Sequence, residues 1–426
     1  MAQPKRQREF ALEIVEKLRA AGYEALWAGG CVRDELLGLV PKDYDVATNA
    51  TPDQIRDVFG HRRTLTIGAA FGVVTVLGPR AAGQIEVATF RTDAAYSDGR
   101  HPDSVSFTDA EHDAQRRDFT INGLFFDPVA EEVVDYVGGE DDIKRRIIRA
   151  IGDPRLRLRE DKLRMLRAVR FAATFDFQIE PQTLRAVQEM AAEITSVSAE
   201  RIGMEIRRML VDPNRAVAIH LLRETTLLPH VLPEVSRLSP EDFDEMARVL
   251  DALRAPTLPV ALAALLSAEQ GARSMESQLP TPNSQLPVHT IARRLRYTNK
   301  ETERTAWLRG NLPNIAVAQE FPWPRLQRLL IHEGAAELLA LHEAVAGPDD
   351  AALAFCRERL AWPPDRLDPP PLVDGSDLIR HGLTPGPQFS KLLEQIRDAQ
   401  LKGEISTRDE ALALADRLRQ PGDTLP

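Results

Sequence analysis

Asp43 and Asp45, one residue apart in Lys42-Asp-Tyr-Asp-Val46, are the residues of this chain best suited to chemistry on a phosphate. The apolar Tyr44 and Val46 alternate with the two acids, which predicts a strand over residues 43–48. On a strand, residues i and i+2 project from one face, so both carboxylates should address the same point. Two hard oxygen ligands on one face suit Mg²⁺, which prefers one or two carboxylates plus substrate phosphates to an all-protein cage. The same spacing also occurs on solvated surface strands, so the surroundings must decide. Just upstream, the apolar run 25–28 ends in Gly29-Gly30, followed by Cys31-Val32-Arg33-Asp34. A glycine pair lets backbone approach a phosphate closely, and a helix beginning at Val32 would add amide donors. Arg33 adds a cation beside that turn. As local structure alone, the pair is a tight strand-to-helix connection.

The elements that must hold these residues read as a mixed α/β unit. Helical spacing covers residues 9–20, and strands are expected at 24–28, 43–48, 72–77 and 84–90. A helix should start behind Thr51-Pro52, with Thr51 as N-cap and Pro52 in the first turn. Beyond Gly138-Gly139 amphipathic helical periods dominate, broken at Asp153-Pro154, at Asp212-Pro213 and between Pro229 and Pro233. The segment 267–289 repeats Ser-Gln-Leu-Pro at 277–280 and 284–287 and reads as a disordered insertion. A proline cluster at 362–372 reads as a stiff linker. The chain thus reads as an α/β unit of about 140 residues followed by an all-α remainder in several lobes.

Composition narrows the function classes. The 426 residues carry a net charge of −10 and are 43% hydrophobic, with no apolar run long enough to span a bilayer and no secretory leader pattern. Cys31 and Cys356 are the only cysteines. Neither a disulfide framework nor a thiolate metal site is indicated, and a reducing cytoplasm fits. The acidic balance hides a local reversal. From Lys144 to Arg170 eleven Lys or Arg face three acids, Asp153, Glu160 and Asp161. A patch of this kind sets the field a polyanion meets, unless it is simply a solvated helical face.

Five ordered blocks now stand out: Gly29-Gly-Cys-Val-Arg-Asp-Glu-Leu-Leu-Gly38, Asp43-Tyr-Asp45, Glu86-Val-Ala-Thr-Phe-Arg91, Arg116-Arg-Asp-Phe-Thr-Ile-Asn122 and Glu160-Asp-Lys-Leu-Arg-Met-Leu-Arg-Ala-Val-Arg-Phe171. Together they resemble the class II tRNA nucleotidyltransferase and bacterial poly(A) polymerase family. Looser likeness continues through 293–303 and 374–379, while the 267–289 segment is not part of the pattern. The resemblance implies a DNA-polymerase-β-like α/β head at 1–141. An all-α neck at 142–235, body at 236–365 and tail at 366–426 would follow. It also implies addition of nucleotides to RNA 3′ ends without a nucleic-acid template. Asp43 and Asp45 would be the catalytic metal ligands, with Glu86 either a third carboxylate or an outward solvated residue. Gly30 and Arg33 would contact the nucleotide's phosphates or sugar. Arg117 resembles a further nucleotide contact, the local alternative being an ion pair with Asp118.

Asp161, Arg164, Arg167 and Arg170 recur every third residue, which on a helix places neighbours on adjacent turns. A carboxylate beside a guanidinium makes an acceptor-donor pair. Cytosine (N4 amino, N3) and adenine (N6 amino, N1) both complement it, whereas uracil and guanine reverse the order and would leave buried groups unpaired at roughly 1–3 kcal/mol each. In the family this helix acts as a protein template, with Asp161 and Arg164 at the base-reading positions. Arg167 and Arg170 would then contact the nucleotide or triphosphate. The polar stretch 91–104 reads as a mobile loop of the kind the family needs for adding the terminal A. The expected function is addition or repair of the 3′-terminal CCA of tRNA from CTP and ATP. Poly(A) polymerase and split A-adding or CC-adding enzymes are the alternatives, and a catalytically silent RNA-binding protein is the non-enzymatic one. In place of the basic stretch usual in poly(A) polymerases, the chain has Ile67-Gly-Ala-Ala-Phe-Gly-Val73. Arg293, Arg294 and Arg296 are candidate RNA contacts in the helical remainder; the sequence assigns no oligomeric state.

Overall fold

The computed structural model describes residues 2–66, 68–93, 105–267, 286–383 and 388–418. Two compact units emerge: one runs to Leu238 and includes Arg294–Arg296, the other holds Ser239–Arg293 and the chain from Tyr297 onward. None of the described helices is long and apolar enough to cross a membrane.

The first unit opens with strands β1 (Ala25–Ala28), β2 (Asp45–Thr48), β3 (Thr64–Leu65), β4 (Val73–Leu77), β5 (Gln84–Thr89), β6 (Arg91–Asp93), β7 (Val105–Phe107), β8 (Phe125–Asp127) and β9 (Glu132–Val134). Seven of them form one sheet in the order β3-β4-β5-β2-β1-β8-β9, and β6 and β7 pair as a separate ribbon. Only β2 and β5 are parallel neighbours, and the remaining pairs in the sheet are antiparallel. Strand β5 alternates strictly, burying Ile85, Val87 and Thr89 and leaving Gln84 and Glu86 exposed, as a sheet with one packed face requires. Helix α1 (Ala2–Ala20) buries Phe10, Ala11, Ile14, Val15 and Leu18 in the same core as Val46, Val87 and Trp27. Trp27 is fully buried, edge-on to Tyr44 at 5.0 Å and stacked on Phe126 at 5.6 Å. Helix α3 (Pro52–Phe59) starts as its sequence demands: the Thr51 hydroxyl accepts from the Gln54 amide and Gln54 returns a bond to the Thr51 amide.

Helices α2 (Gly30–Leu36), α4 (Ala110–Gln115) and α5 (Gly139–Arg145) complete the α/β region. Helices α6 (Pro154–Glu160), α7 (Arg164–Phe175), α8 (Pro181–Met190) and α9 (Ala199–Val211) follow, and a short parallel pair, Ile147–Ile148 with Gln178–Ile179, is the last β structure of this unit. The second unit is helical throughout its described residues. Its C-terminal piece has a core of its own, built from Val373, Leu378, Leu392, Ile396, Ala411 and Ala415.

Four expectations change. Strand β2 begins at Asp45, so Asp43 lies just before it and pleat alternation does not govern that side chain. Helix α2 starts at Gly30, two residues earlier than expected, because Gly29 takes a positive φ of 73° and turns the chain at once. The expected insertion ends before Leu286, where a helix over Leu286–Arg294 begins with Pro287 in its first turn; residues 268–285 lie outside the described structure. The proline cluster is packed, not a bare spacer: Gln327 donates to the Leu367 carbonyl and Asp368, and Arg397 pairs with Asp368 at 2.7 Å.

Candidate active site

The open face of the sheet carries one row across four strands. Asp45 of β2 registers with Glu86 of β5, Glu86 with Thr75 of β4, and Thr75 with Leu65 of β3. Asp43, Asp45 and Glu86 are all solvent-exposed. Asp45 nonetheless sits among enough protein to lose much of its hydration. That loss first, and then the Glu86 and Asp43 carboxylates, push its pKa up to about 6, while Arg117 pulls it down. Three acids and one arginine therefore share an electrostatic neighbourhood. Among the described residues no three His, Cys, Asp or Glu side chains close into a ready metal cage. An open carboxylate pair that repels itself and a neighbour fits a hard divalent cation whose other ligands come from substrate and water.

The glycine turn is shaped around Arg117. Gly29 donates its amide to the Leu124 carbonyl at 2.9 Å, and a Cβ placed on it would lie 2.8 Å from Arg117 Nη1. Arg117 does not pair with Asp118. Its partner is the buried Asp113, one turn back on α4, at 2.9 Å, and its Nη1 also donates to the Asn122 carbonyl. Asp113 binds Arg116 as well, at 2.8 Å, and accepts from the Arg91 amide, so one carboxylate ties both arginines to the base of the β6–β7 ribbon. Burial works to raise the Asp113 pKa, but Arg117 and Arg116 outweigh it and the net shift is downward. Gly29→Ala is expected to cost about 1–2 kcal/mol from the positive φ alone and to displace Arg117. A thermal midpoint unchanged from the parent would show that this turn is less tightly filled than described.

Arg33 is buried and already committed. It donates to Asp34 at 2.7 Å and to Asn122 Oδ1 at 2.5 Å, and lies 4.5 Å from the Phe175 ring. Asn122 in turn donates to Asp118 Oδ1 at 3.0 Å, and Asp118 Oδ2 pairs with Arg167 at 2.6 Å. A continuous polar chain, Arg33–Asn122–Asp118–Arg167, thus joins the glycine turn to α7. Burial acts to raise the Asp118 carboxyl, but Arg167, the Asn122 amide and Arg164 prevail and hold it at about 2.

The structure keeps three of the four spaced residues on α7 and removes the fourth. Asp161 lies in the turn between α6 and α7, with extended backbone, its carboxylate bonded to the Leu163 amide and to Arg201 of α9 at 2.6 Å. Arg164 donates to Glu160 and to the Arg157 and Arg116 carbonyls, Arg167 pairs with Asp118, and Arg170 pairs with the buried Glu205 at 2.6 Å. Asp161 and Arg164 share no side-chain bond among those described. The surrounding basic stretch is matched in the same way: Arg149 pairs with Asp142, Arg155 with Glu189 and Lys162 with Glu193. Of the partners, Asp113 was readable from its i, i+4 spacing to Arg117, whereas Asp118 offered itself only as a partner of Arg117 and Asn122 stood within a quoted block without a role. Arg201 and Glu205 left no local signal. Arg294 pairs with Glu234 and Arg296 with Glu200. The ends of the expected 91–104 loop form the β6–β7 ribbon, and residues 94–104 lie outside the described structure.

A carboxylate-bearing α/β head followed by helices that present arginines is the organisation of a nucleotidyltransferase. Residues 25–149 match the family described as the poly A polymerase head domain, and residues 176–238 the one described as the probable RNA and SrmB-binding site of polymerase A. The CCA-adding enzyme of Limosilactobacillus reuteri is 32% identical over 417 residues, 95% of each chain. Poly(A) polymerase I of Salmonella typhi is 40% identical over 258 residues, 57% of this chain and 54% of that one, so the present chain spans about half its length. The crystal structure of the Bacillus stearothermophilus CCA-adding enzyme in complex with CTP superposes with a TM-score of 0.79 at 31% identity, covering 98% of both chains. The chain belongs to the family of CCA-adding tRNA nucleotidyltransferases.

Proposed function

We propose that this enzyme builds or repairs the 3′-terminal CCA of tRNA from CTP and ATP, releasing pyrophosphate, in the cytoplasm. The observation that carries the reading is the gathering of Asp43, Asp45 and Glu86 beside Arg117, in a chain related along nearly its whole length to CCA-adding enzymes. Asp43 and Asp45 are the residues that would hold a divalent ion, for which we propose Mg²⁺, with Glu86 as a neighbouring carboxylate. The chemistry such an ion supplies when bound is activation of the attacking 3′-hydroxyl and neutralisation of charge on the triphosphate.

The chain's own residues bind and orient. Gly30 leaves the turn open to close approach, and Arg33 and Arg117 are positioned against it for phosphate or sugar. Glu160 and the Arg157 and Arg116 carbonyls fix Arg164 through its two Nη groups, with no acceptor on its Nε–H among the described residues, while Arg201 and the Leu163 amide fix Asp161 without using all its lone pairs. These two residues are proposed to read cytosine and adenine through the donor-acceptor order that both bases share, although they do not bond to each other. Arg167 and Arg170 are proposed to contact the nucleotide from α7.

The test is incorporation. tRNA ending before CC should gain C, C and A from CTP and ATP, tRNA ending in CC should gain a single A, and complete tRNA should gain nothing. Chelation should abolish transfer and Mg²⁺ restore it. The 40% identity to a poly(A) polymerase favours a second reading; long A tracts on any RNA would establish it in place of the first.

A further inference from the structure

Within the second unit, far along the chain from the catalytic carboxylates, a cavity of about 520 Å³ is lined by Phe321, Trp323, Phe355, Arg359, Trp362 and Arg366 among others. All four rings are only half-buried. A chain that has already buried its core rarely leaves four aromatic rings partly wet around one hollow without a use for them. Trp323 and Trp362 lie 5.2 Å apart at 55°, so their faces open towards each other as a wedge. The two arginines sit over the rings: Arg359 is 3.0 Å over Phe355 and 5.3 Å from Trp362, and Arg366 is 3.8 Å over Trp362.

The charges are poorly compensated. Arg359 has Glu358 at 3.7 Å, a carboxylate largely in water, and among the described residues no carboxylate pairs with Arg366. Most arginines of the nucleotide site, by contrast, have close acidic partners. Aromatic faces combined with guanidinium planes are the means by which proteins hold unpaired RNA bases. A volume of this size accommodates one nucleotide. Both guanidiniums lie against the Trp362 ring, so they suit a single backbone phosphate beside a stacked base.

We infer that this pocket captures one unpaired nucleotide of the RNA substrate, its base against Trp362 and Trp323 and its phosphate on Arg359 and Arg366. The inference rests on the reading of the protein as an RNA-modifying enzyme. Its test measures binding without catalysis, so the two stand or fall separately. Fluorescently labelled tRNA lacking CCA is titrated with the full-length protein, and an unpaired oligoribonucleotide and free AMP serve as competitors. Arg366→Glu, at an exposed position, should weaken tRNA binding about tenfold, Trp362→Phe should retain most of the affinity, and Trp362→Leu should lose it. Steady-state kinetics should then show a raised KM for tRNA with KM for CTP and kcat unchanged. Arg366→Glu and Trp362→Leu proteins that fold normally and bind tRNA like the parent would overturn the proposal. Indole quenching by AMP that depends on Trp362 and is not matched by the oligoribonucleotide would also overturn it, reassigning the pocket to a free nucleotide.

Discussion

Asp45→Asn is expected to lower nucleotide transfer by about three orders of magnitude, the rate equivalent of the several kcal/mol that a metal clamp contributes to the transition state. The same substitution should not weaken the fold. Without a bound cation the Asp45 carboxylate is stripped of much of its hydration and is also repelled by Glu86 and Asp43, and its raised pKa records both costs. Removing the charge relieves them. The thermal midpoint in the absence of metal should therefore hold or rise, and tRNA binding should stay close to that of the parent. Loss of activity accompanied by a lowered midpoint would instead make Asp45 a structural residue. Sites that hold strained charge for function commonly gain stability when it is removed.

Asp118→Ala is the change with the largest expected effect on stability. It leaves the Arg167 guanidinium and the Asn122 amide without their shared acceptor in a buried place, at a cost of about 3–5 kcal/mol. Asp118→Asn keeps the shape and loses the charge. The sign of the pH dependence follows from the depressed folded pKa. Asp118 stabilises the parent fully above its unfolded value of 3.8, and that contribution disappears as pH falls through about 2. The stability gap between the parent and Asp118→Asn should stay constant down to about pH 4 and close between there and about pH 2. A gap that narrows only near neutral pH would assign the effect to some other group. Through Arg167 the same variants should shift α7 relative to the glycine turn, so KM for CTP should rise together with the loss of stability.

Much of the site was legible because its signals are local. The Asp43/Asp45 pair, the glycine turn and the Thr51 cap each need only a few consecutive residues, and each was found where expected to within two positions. Asp161 was misplaced for a physical reason: no glycine or proline separates Glu160 from Arg164, so the three-residue spacing runs unbroken through a turn that only tertiary packing creates. Ion-pair partners were hidden for a related reason. Arg117 had two candidate acids nearby, and whether Asp113 or Asp118 receives it depends on Asp118 being claimed by Arg167, forty-nine residues later. The start of the helix at Leu286 was obscured because Leu-Pro inside a polar repeat reads as loop, although proline is at home in a first helical turn.

Of the eleven basic residues from Lys144 to Arg170, all but Arg159 are matched by a carboxylate among the described residues, and this changes what polyanion binding costs in solution. A bare row of guanidiniums on RNA would displace condensed ions from the backbone, and its affinity would fall steeply as salt rises. Here an arriving phosphate substitutes for a glutamate or aspartate that already neutralises the cation. Binding is then an exchange of ligands at nearly constant charge, with little release of counterions. The enzyme's grip on its nucleotide should be far less sensitive to ionic strength than a count of eleven basic residues would suggest.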